Sequence, residues 1–172
     1  MDCPSELNHS FAHYITITHN IGINIMSYQH ILVPVDGSEI SLAAFEHAAS
    51  LAKAFGSKLT AVSLLAEDPF SGVDFYYVSP IMKDYFIEAQ AKAQETLAHV
   101  KSTATVHGIE VETQIVKGEV SAEGIIKAAE DLKIDLIVMG SHGRKGVQKF
   151  FLGSFAQDVL GNTELPVLIV KK

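Results

Sequence analysis

The chain has 172 residues, with 13 Lys and Arg against 20 Asp and Glu for a formal net charge of −7; one domain of roughly 150 residues accounts for it, and the acidic field argues against a nucleic-acid or anionic-membrane surface. Hydrophobic residues make up 48% and charged residues 19%, which excludes the composition of a disordered chain. The single cysteine, Cys3, excludes an intramolecular disulfide framework or a multi-cysteine zinc site, and no window approaches the roughly 18 apolar residues of a membrane span, so a reducing, cytoplasmic setting is expected.

Residues 1–26 contain no Lys or Arg and make a poor secretory or transit signal. They show a weak alternation through Tyr14-Ile15-Thr16-Ile17-Thr18 and are expected to be a non-native or disordered N-terminal extension, with Met26 as an economical start and 27–172 as the domain. The rival reading is an arm that pairs with a sheet edge or another subunit.

From there the chain alternates strand and helix patterns. Ile31-Leu32-Val33-Pro34-Val35 is an apolar run suited to a strand covered on both faces, with Pro34 expected where the ladder finishes. Asp36-Gly37-Ser38 is a turn, with Ser38 or Ser41 as helix N-cap. Leu42, Phe45, Ala49, Ala52 and Phe55 form one stripe of a helix ending at Gly56. Leu59–Leu65 is a second strand, and 66–80 is an irregular segment whose Phe70, Phe75, Tyr76 and Tyr77 suit either core packing or a lid.

Met82, Phe86, Ala89, Ala93, Leu97 and Val100 form a second helical stripe, with Glu88 and Lys92 an i,i+4 pair outside it, and Gly108 follows its end. Val111–Val116 reads as a strand, Ala122–Leu132 as a helix, and Asp135–Gly140 as another buried strand. A last helix covers Gly153–Leu160 and a last strand Pro166–Val170. Five strands separated by helices predict an α/β fold with a parallel sheet and helices on both faces. Ligands of such sheets sit beyond the carboxyl ends of the strands, where strand order reverses.

Two strand ends carry chemistry. After the first stand Asp36, Gly37 and Ser38; after the fourth, Gly140-Ser141-His142-Gly143-Arg144-Lys145-Gly146 leads to Gly153-Ser154 at a helix start. Glycines let main-chain N–H groups approach a phosphate, and a helix amino end offers unpaired donors. Residues 140–154 hold Arg144, Lys145 and Lys149 and no acid, a local charge of +3. The plainer alternative is a glycine-rich connection with basic residues for solubility. Neither a Walker A loop nor the dinucleotide fingerprint is present.

Gly140-x2-Gly143-x9-Gly153-Ser154, the flanking Val138-Met139-Gly140-Ser141-His142-Gly143, the opening Ile31–Ser38 and the closing Pro166–Val170 together resemble the ATP-binding branch of the universal stress protein family over about residues 28–172. The resemblance implies a three-layer, Rossmann-like fold, akin to adenine nucleotide alpha hydrolases, with a five-stranded sheet of order 3-2-1-4-5 and nucleotide between the first and fourth strands. It implies Asp36 at the ribose or adenine end beside Pro34 and Val35, and Leu64 against adenine. Gly140, Gly143, Gly153 and Ser154 would hold ribose and phosphates, with Phe155 adding a main-chain donor. Met139, Ser141, His142 and Arg144 complete the expected lining.

Each residue has a plainer use: Asp36 as a turn former, Leu64 as core, Ser154 as helix N-cap, His142 as a loop residue. His142 has no partnered carboxylate in sequence to mark it as a general base, and no catalytic residue is assigned. His9 and His13 are spaced i,i+4 but lack a third ligand for zinc.

The function expected is an ATP-binding, nucleotide-dependent stress-response sensor or regulator with at most slow hydrolysis. ATP, with AMP or ADP as substitutes, and Mg²⁺ or Mn²⁺ bridging the phosphates are the expected ligands. The expected partners are a second copy through the C-terminal strand and an unidentified protein. A genuine ATPase or nucleotide-transferring enzyme, and a nucleotide-free dimerisation module, are the alternatives.

Overall fold

The computed structural model describes residues 27–67, 80–143 and 152–171. Its strands are β1 (His30–Pro34), β2 (Lys58–Ala66), β3 (Glu112–Gly118), β4 (Leu136–Gly140) and β5 (Val167–Val170). The helices are α1 (Glu39–Phe55), α2 (Pro80–Val106), α3 (Ala122–Asp131) and α4 (Ser154–Asn162). All the strands pair in parallel, in the order β3-β2-β1-β4-β5. The expected α/β architecture and strand order are therefore observed.

Successive β1 residues feed opposite cores, as the two-residue strand period requires. Ile31 and Val33 pack with α1, α2, Leu59 and Val138 on one face. Leu32 joins Val62, Ile125, Ile137, Met139 and Val159 on the other, against α3 and α4. Ile31, Leu32 and Val33 are all 0% exposed, so the sheet is covered on both sides and β1 lies at its centre.

Pro34 is the last residue of β1, where its missing N–H costs the ladder nothing. The next ladder bond comes from Val35 N–H to the Val62 carbonyl at 2.8 Å. Ser38 is the N-cap of α1, its Oγ accepting from Ser41 N–H, and Gly56 ends the helix in the left-handed conformation at φ 70°.

The stripe expected along α2 is buried only in part. Ala93, Leu97, Val100 and Ala104 are buried, but Met82 is 42% exposed. A Cβ at Gly37 would come 2.9 Å from Thr96 Oγ1, which sets Thr96 against the turn after β1. Beyond Ala93, Pro80–Lys92 continues for about 20 Å, past the layer that buries the rest of the stripe. Phe55 is likewise peripheral at 38% exposure, meeting the Tyr28 ring edge-on at 5.9 Å. The aromatic loop candidates Phe70, Phe75, Tyr76 and Tyr77, the histidines His9 and His13, and the extension 1–26 lie outside the described residues. Among the described residues no helix is long and apolar enough to cross a membrane.

The amino ends of β1 and β4 are tied by one carboxylate. Asp135 Oδ2 accepts from Gln29 N–H at 2.6 Å and Oδ1 from His30 N–H at 2.9 Å, while Asp135 N–H donates to the His30 carbonyl at 3.1 Å. His30 Nδ1 donates to the Leu132 carbonyl at 3.1 Å, and Nε2 lies 2.8 Å from Thr60 Oγ1. Replacing Asp135 with Ala removes two charge-assisted bonds at a half-buried position. We expect it to lower the unfolding free energy by about 1–2 kcal/mol in urea with an unchanged denaturant slope.

Candidate functional site

β1 and β4 are neighbours in the sheet, but the chain leaves β1 for α1 on one face and leaves β4 for α4 on the other. The splayed loops at that switch point leave a crevice, here a cavity of about 550 Å³, within the range of small-molecule sites. Pro34, Val35 and Asp36 reach it from β1 and its turn, Val62, Ser63 and Leu64 from β2, and Met139 and Gly140 from β4. His142, Gly143, Gly153, Ser154, Phe155 and Ala156 complete that side, with Ser41 and Val120 at the margins.

The turn that carries Asp36 is rigid. Oδ1 accepts from Ser38 N–H at 2.9 Å and Ser38 Oγ–H at 2.6 Å, and Asp36 N–H donates to Ser41 Oγ at 3.3 Å. The turn-forming use of Asp36 is thus realised together with its place on the cavity wall. The carboxylate is held by its own turn, and its second oxygen is oriented toward the opposite loop: a Cβ at Gly143 would lie 3.2 Å from Asp36 Oδ2.

The glycines have protein neighbours as well as an open side. At Gly140 a Cβ would meet Ile40 Cγ1 at 3.0 Å and Cγ2 at 3.1 Å, so α1 closes on the end of β4 only without a side chain there. Gly140 thus serves helix–strand packing as well as bordering the cavity.

The amino end of α4 differs from the other capped ends. Ser38 caps α1 and Ser121 caps α3 through their side chains. At α4 the N-cap is Gly153, with no side-chain cap bond, and Ser154, whose plainer alternative use was as N-cap, is the first helical residue. The first intrahelical bond runs from Gln157 N–H to the Gly153 carbonyl at 3.0 Å. The N–H groups of Ser154, Phe155 and Ala156 precede it and have no carbonyl within the helix to meet. All three residues line the cavity, so these donors and the positive end of the helix dipole stand at its wall.

Ser141, expected among the lining residues, is 4% exposed and stands behind the wall. Its N–H donates to the Val170 carbonyl and its own carbonyl accepts from Gly153 N–H, each at 2.8 Å, while Oγ lies 2.9 Å from His142 Nδ1. Arg144 lies outside the described residues, as do Lys145 and Lys149. The remaining expected residues are brought together.

Sequence reasoning missed Ser41, Val62, Ser63, Val120 and Ala156. Val62 was within reach, because it shares the strand face of Leu64, two residues on. Val120, 56% exposed, follows the carboxyl end of β3, where the rule about strand ends also points. Ser41, Ser63 and Ala156 look like ordinary interior residues in sequence, and only the packing sets them at the cavity.

The chemistry available is anion binding by main-chain donors beside an apolar surface from Val35, Val62, Leu64 and Met139. Asp36 and His142 are the ionisable residues among the described lining. Among the described residues no group of three or more His, Cys, Asp or Glu could hold a metal. The donor set therefore suits an ion carried by a ligand's own phosphates better than one caged by protein.

The sequence profile described as universal stress protein family matches residues 27–171. A universal stress protein of Methanocaldococcus jannaschii is 37% identical over 149 residues, covering 84% of this chain and 83% of the relative. A universal stress protein crystallised in complex with cAMP superposes with a TM-score of 0.65 at 26% identity, over 84% of this chain and 97% of its own. The universal stress protein of Archaeoglobus fulgidus in complex with dAMP gives 0.63 at 25%, over 85% and 100%. With a matched profile that spans nearly the whole described chain and a relative above 30% identity over most of its length, this chain belongs to the universal stress protein family.

Proposed function

We propose that the chain binds an adenine nucleotide, ATP foremost with AMP or ADP as competitors, and acts as a cytoplasmic stress-response sensor or regulator read through conformation or partner exchange. The observation that carries this reading is the amino end of α4, which lacks a side-chain cap and opens onto the cavity beside Gly140 and Gly143. Two structural neighbours in complex with cAMP and dAMP support an adenine ligand.

In this reading Pro34, Val35 and Asp36 take the ribose and adenine end, and Leu64 with Val62 packs against the base. Gly140, Gly143, Gly153 and Ser154 take ribose and phosphates, with a main-chain donor from Phe155. Met139 and His142 border the ligand, Ser141 supports the loop from behind, and Arg144 is assigned to the phosphate end. Mg²⁺ or Mn²⁺ would be held chiefly by phosphate oxygens and water, and would supply charge neutralisation there.

The protein's own residues favour holding over cleaving. Asp36 Oδ1 is already committed to Ser38, which limits the carboxylate as a general base, and main-chain donors bind a phosphate without activating a water. We expect hydrolysis by the purified protein with ATP and Mg²⁺ at about 10⁻⁴–10⁻³ per second, the scale of an unassisted nucleotide switch. Several turnovers per minute, lost on Asp36→Ala, would instead establish the enzyme.

Binding itself is tested by thermal unfolding. ATP at a hundred times its Kd should add about 2.7 kcal/mol of stability. Gly143→Val, which places a branched side chain where even a Cβ meets Asp36 at 3.2 Å, should abolish that increment. Nucleotide extracted from freshly purified protein identifies the ligand. If wild type shows neither bound nucleotide nor a shift, the dimerisation-module reading replaces this one.

For the partner, β5 is an edge of the sheet with Leu168 40% exposed. Ile137 N–H donates to the Pro166 carbonyl and Ser141 N–H to the Val170 carbonyl. The alternation of a parallel ladder then turns the main-chain groups of Val167 and Ile169 outward. We assign this edge to a homodimer contact; light scattering should report twice the chain mass, and Leu168→Lys should shift the population toward monomer.

A further inference from the structure

We infer that Ser63 reads the base of the bound nucleotide: its buried hydroxyl accepts a hydrogen bond from the exocyclic 6-amino group of adenine, at the end of the cavity away from α4. The inference rests on the nucleotide reading above and adds a residue that sets its base preference.

The position follows from the ladder. β1 ends at Pro34, opposite Val62, and Val35 N–H donates to the Val62 carbonyl at 2.8 Å. β2 runs on to Ala66, so Ser63 and Leu64 border the cavity beyond the last residue of β1. Side chains alternate along a strand: Val62 and Leu64 join the core toward α3 and α4, whereas Ala61, and Ile115 opposite Ser63 in β3, join the core toward α1 and α2. Ser63 points to that second side. A flat base set edge-on against this stretch of β2 meets Leu64 on one face of the sheet and the Ser63 hydroxyl on the other.

The hydroxyl lacks a protein partner. Ser63 is 5% exposed, and its Oγ makes no hydrogen bond among the described residues. No sealed side-chain oxygen or nitrogen among them is left unpaired, so this oxygen has an opening, and the opening that Ser63 borders is the cavity. Buried polar groups are nearly always bonded, and this one is set to be completed by a ligand. The other polar side chains of the described wall are engaged or stand elsewhere. Ser41 Oγ donates to the Ser38 carbonyl at 2.9 Å and accepts from Asp36 N–H at 3.3 Å, and Asp36 is held by Ser38. His142 and Ser154 lie after β4 and at the start of α4.

Spacing selects the base as the partner. β2 stands two strands from β4 in the sheet, roughly 10 Å, and the main-chain donors of α4 lie on the β4 side. A nucleotide with its phosphates at those donors crosses the end of β1 through its ribose and brings its base to β2. The 6-amino group is the polar atom of adenine farthest from the sugar. A serine oxygen accepts from such an amine, while Val62, Leu64 and Val120 beside it on the wall have no polar side-chain atom to offer. A purine without the amine leaves the hydroxyl unmatched, which is how a polar group in a site discriminates.

The test is calorimetric titration of wild type and Ser63→Ala with ATP and with purine riboside 5′-triphosphate, which carries hydrogen in place of the amine. Wild type should bind ATP about 5-fold more tightly than the analogue, the scale of one neutral hydrogen bond. Ser63→Ala should erase that preference, lowering ATP affinity by about the same factor and leaving that of the analogue unchanged or raised. With no protein bond to lose, the ligand-free variant should unfold at the wild-type temperature or above it.

A clearly lower unfolding temperature would give the hydroxyl a structural partner and overturn the inference. Equal affinities of wild type for the two nucleotides, or an equal loss for both in Ser63→Ala, would overturn it as well. Wild type that binds neither nucleotide would overturn the nucleotide reading itself, a separate result.

Discussion

The 2.8 Å hydrogen bond from Gly153 N–H to the Ser141 carbonyl is the constraint on which the site depends. It joins the residue after β4 to the residue before α4, and so closes a loop whose two ends would otherwise be free to separate. Ser141 is itself anchored to β5 through Val170, which makes the closure an extension of the sheet. With Gly153 held there, α4 must begin at the carboxyl end of β4. Its unpaired N–H groups then face the space between β4 and β1, where a helix end buried without a partner would be costly.

That space exists because of how the sheet is filled. Ile31, Leu32 and Val33 of β1 are buried on both faces, and the chain leaves β1 and β4 toward helices on opposite faces of the sheet. The helices therefore cannot cover the junction at the carboxyl ends, and the loops there line a crevice instead. At the amino ends the opposite holds: Asp135 and His30 stitch β1 to the start of β4 and to β2 with short polar contacts. One end of the sheet is tied shut, and the other is left open by topology.

The cavity is built mainly from main-chain donors and apolar side chains, with Asp36 and His142 as the ionisable groups of its described lining. Main-chain donors of this kind can hold an anion beside an apolar surface. Its glycines serve two ends together. At Gly140 the missing side chain admits Ile40 of α1, so the position that borders the cavity is also the one that lets a helix pack on the strand. A substitution there acts on fold and site at once.

Much of the fold was legible in the sequence because its signals are local. Apolar runs of strand length, Ser38 and Gly56 at the ends of α1, and Pro34 at the close of β1 each follow from the chemistry of a few adjacent residues. The glycine spacing and the basic stretch around it marked a candidate anion site for the same reason. What local pattern could not decide was which residues face one another. The stripe of α2 looked continuous through Met82 and Phe86, but burial needs a partner surface, and the described layer covers it only from about Ala93 onward. Ser154 reads as an N-cap by residue type, yet the bond from Gly153 to Ser141 moves the cap back by one residue. Local pattern alone was enough for the alternation of strands and helices and for the glycines that border the cavity. Only the tertiary structure decided that Ser141 stands behind the wall and orients His142, because that depends on bonds to Val170 and Gly153, residues distant in the chain and adjacent only once the sheet has formed.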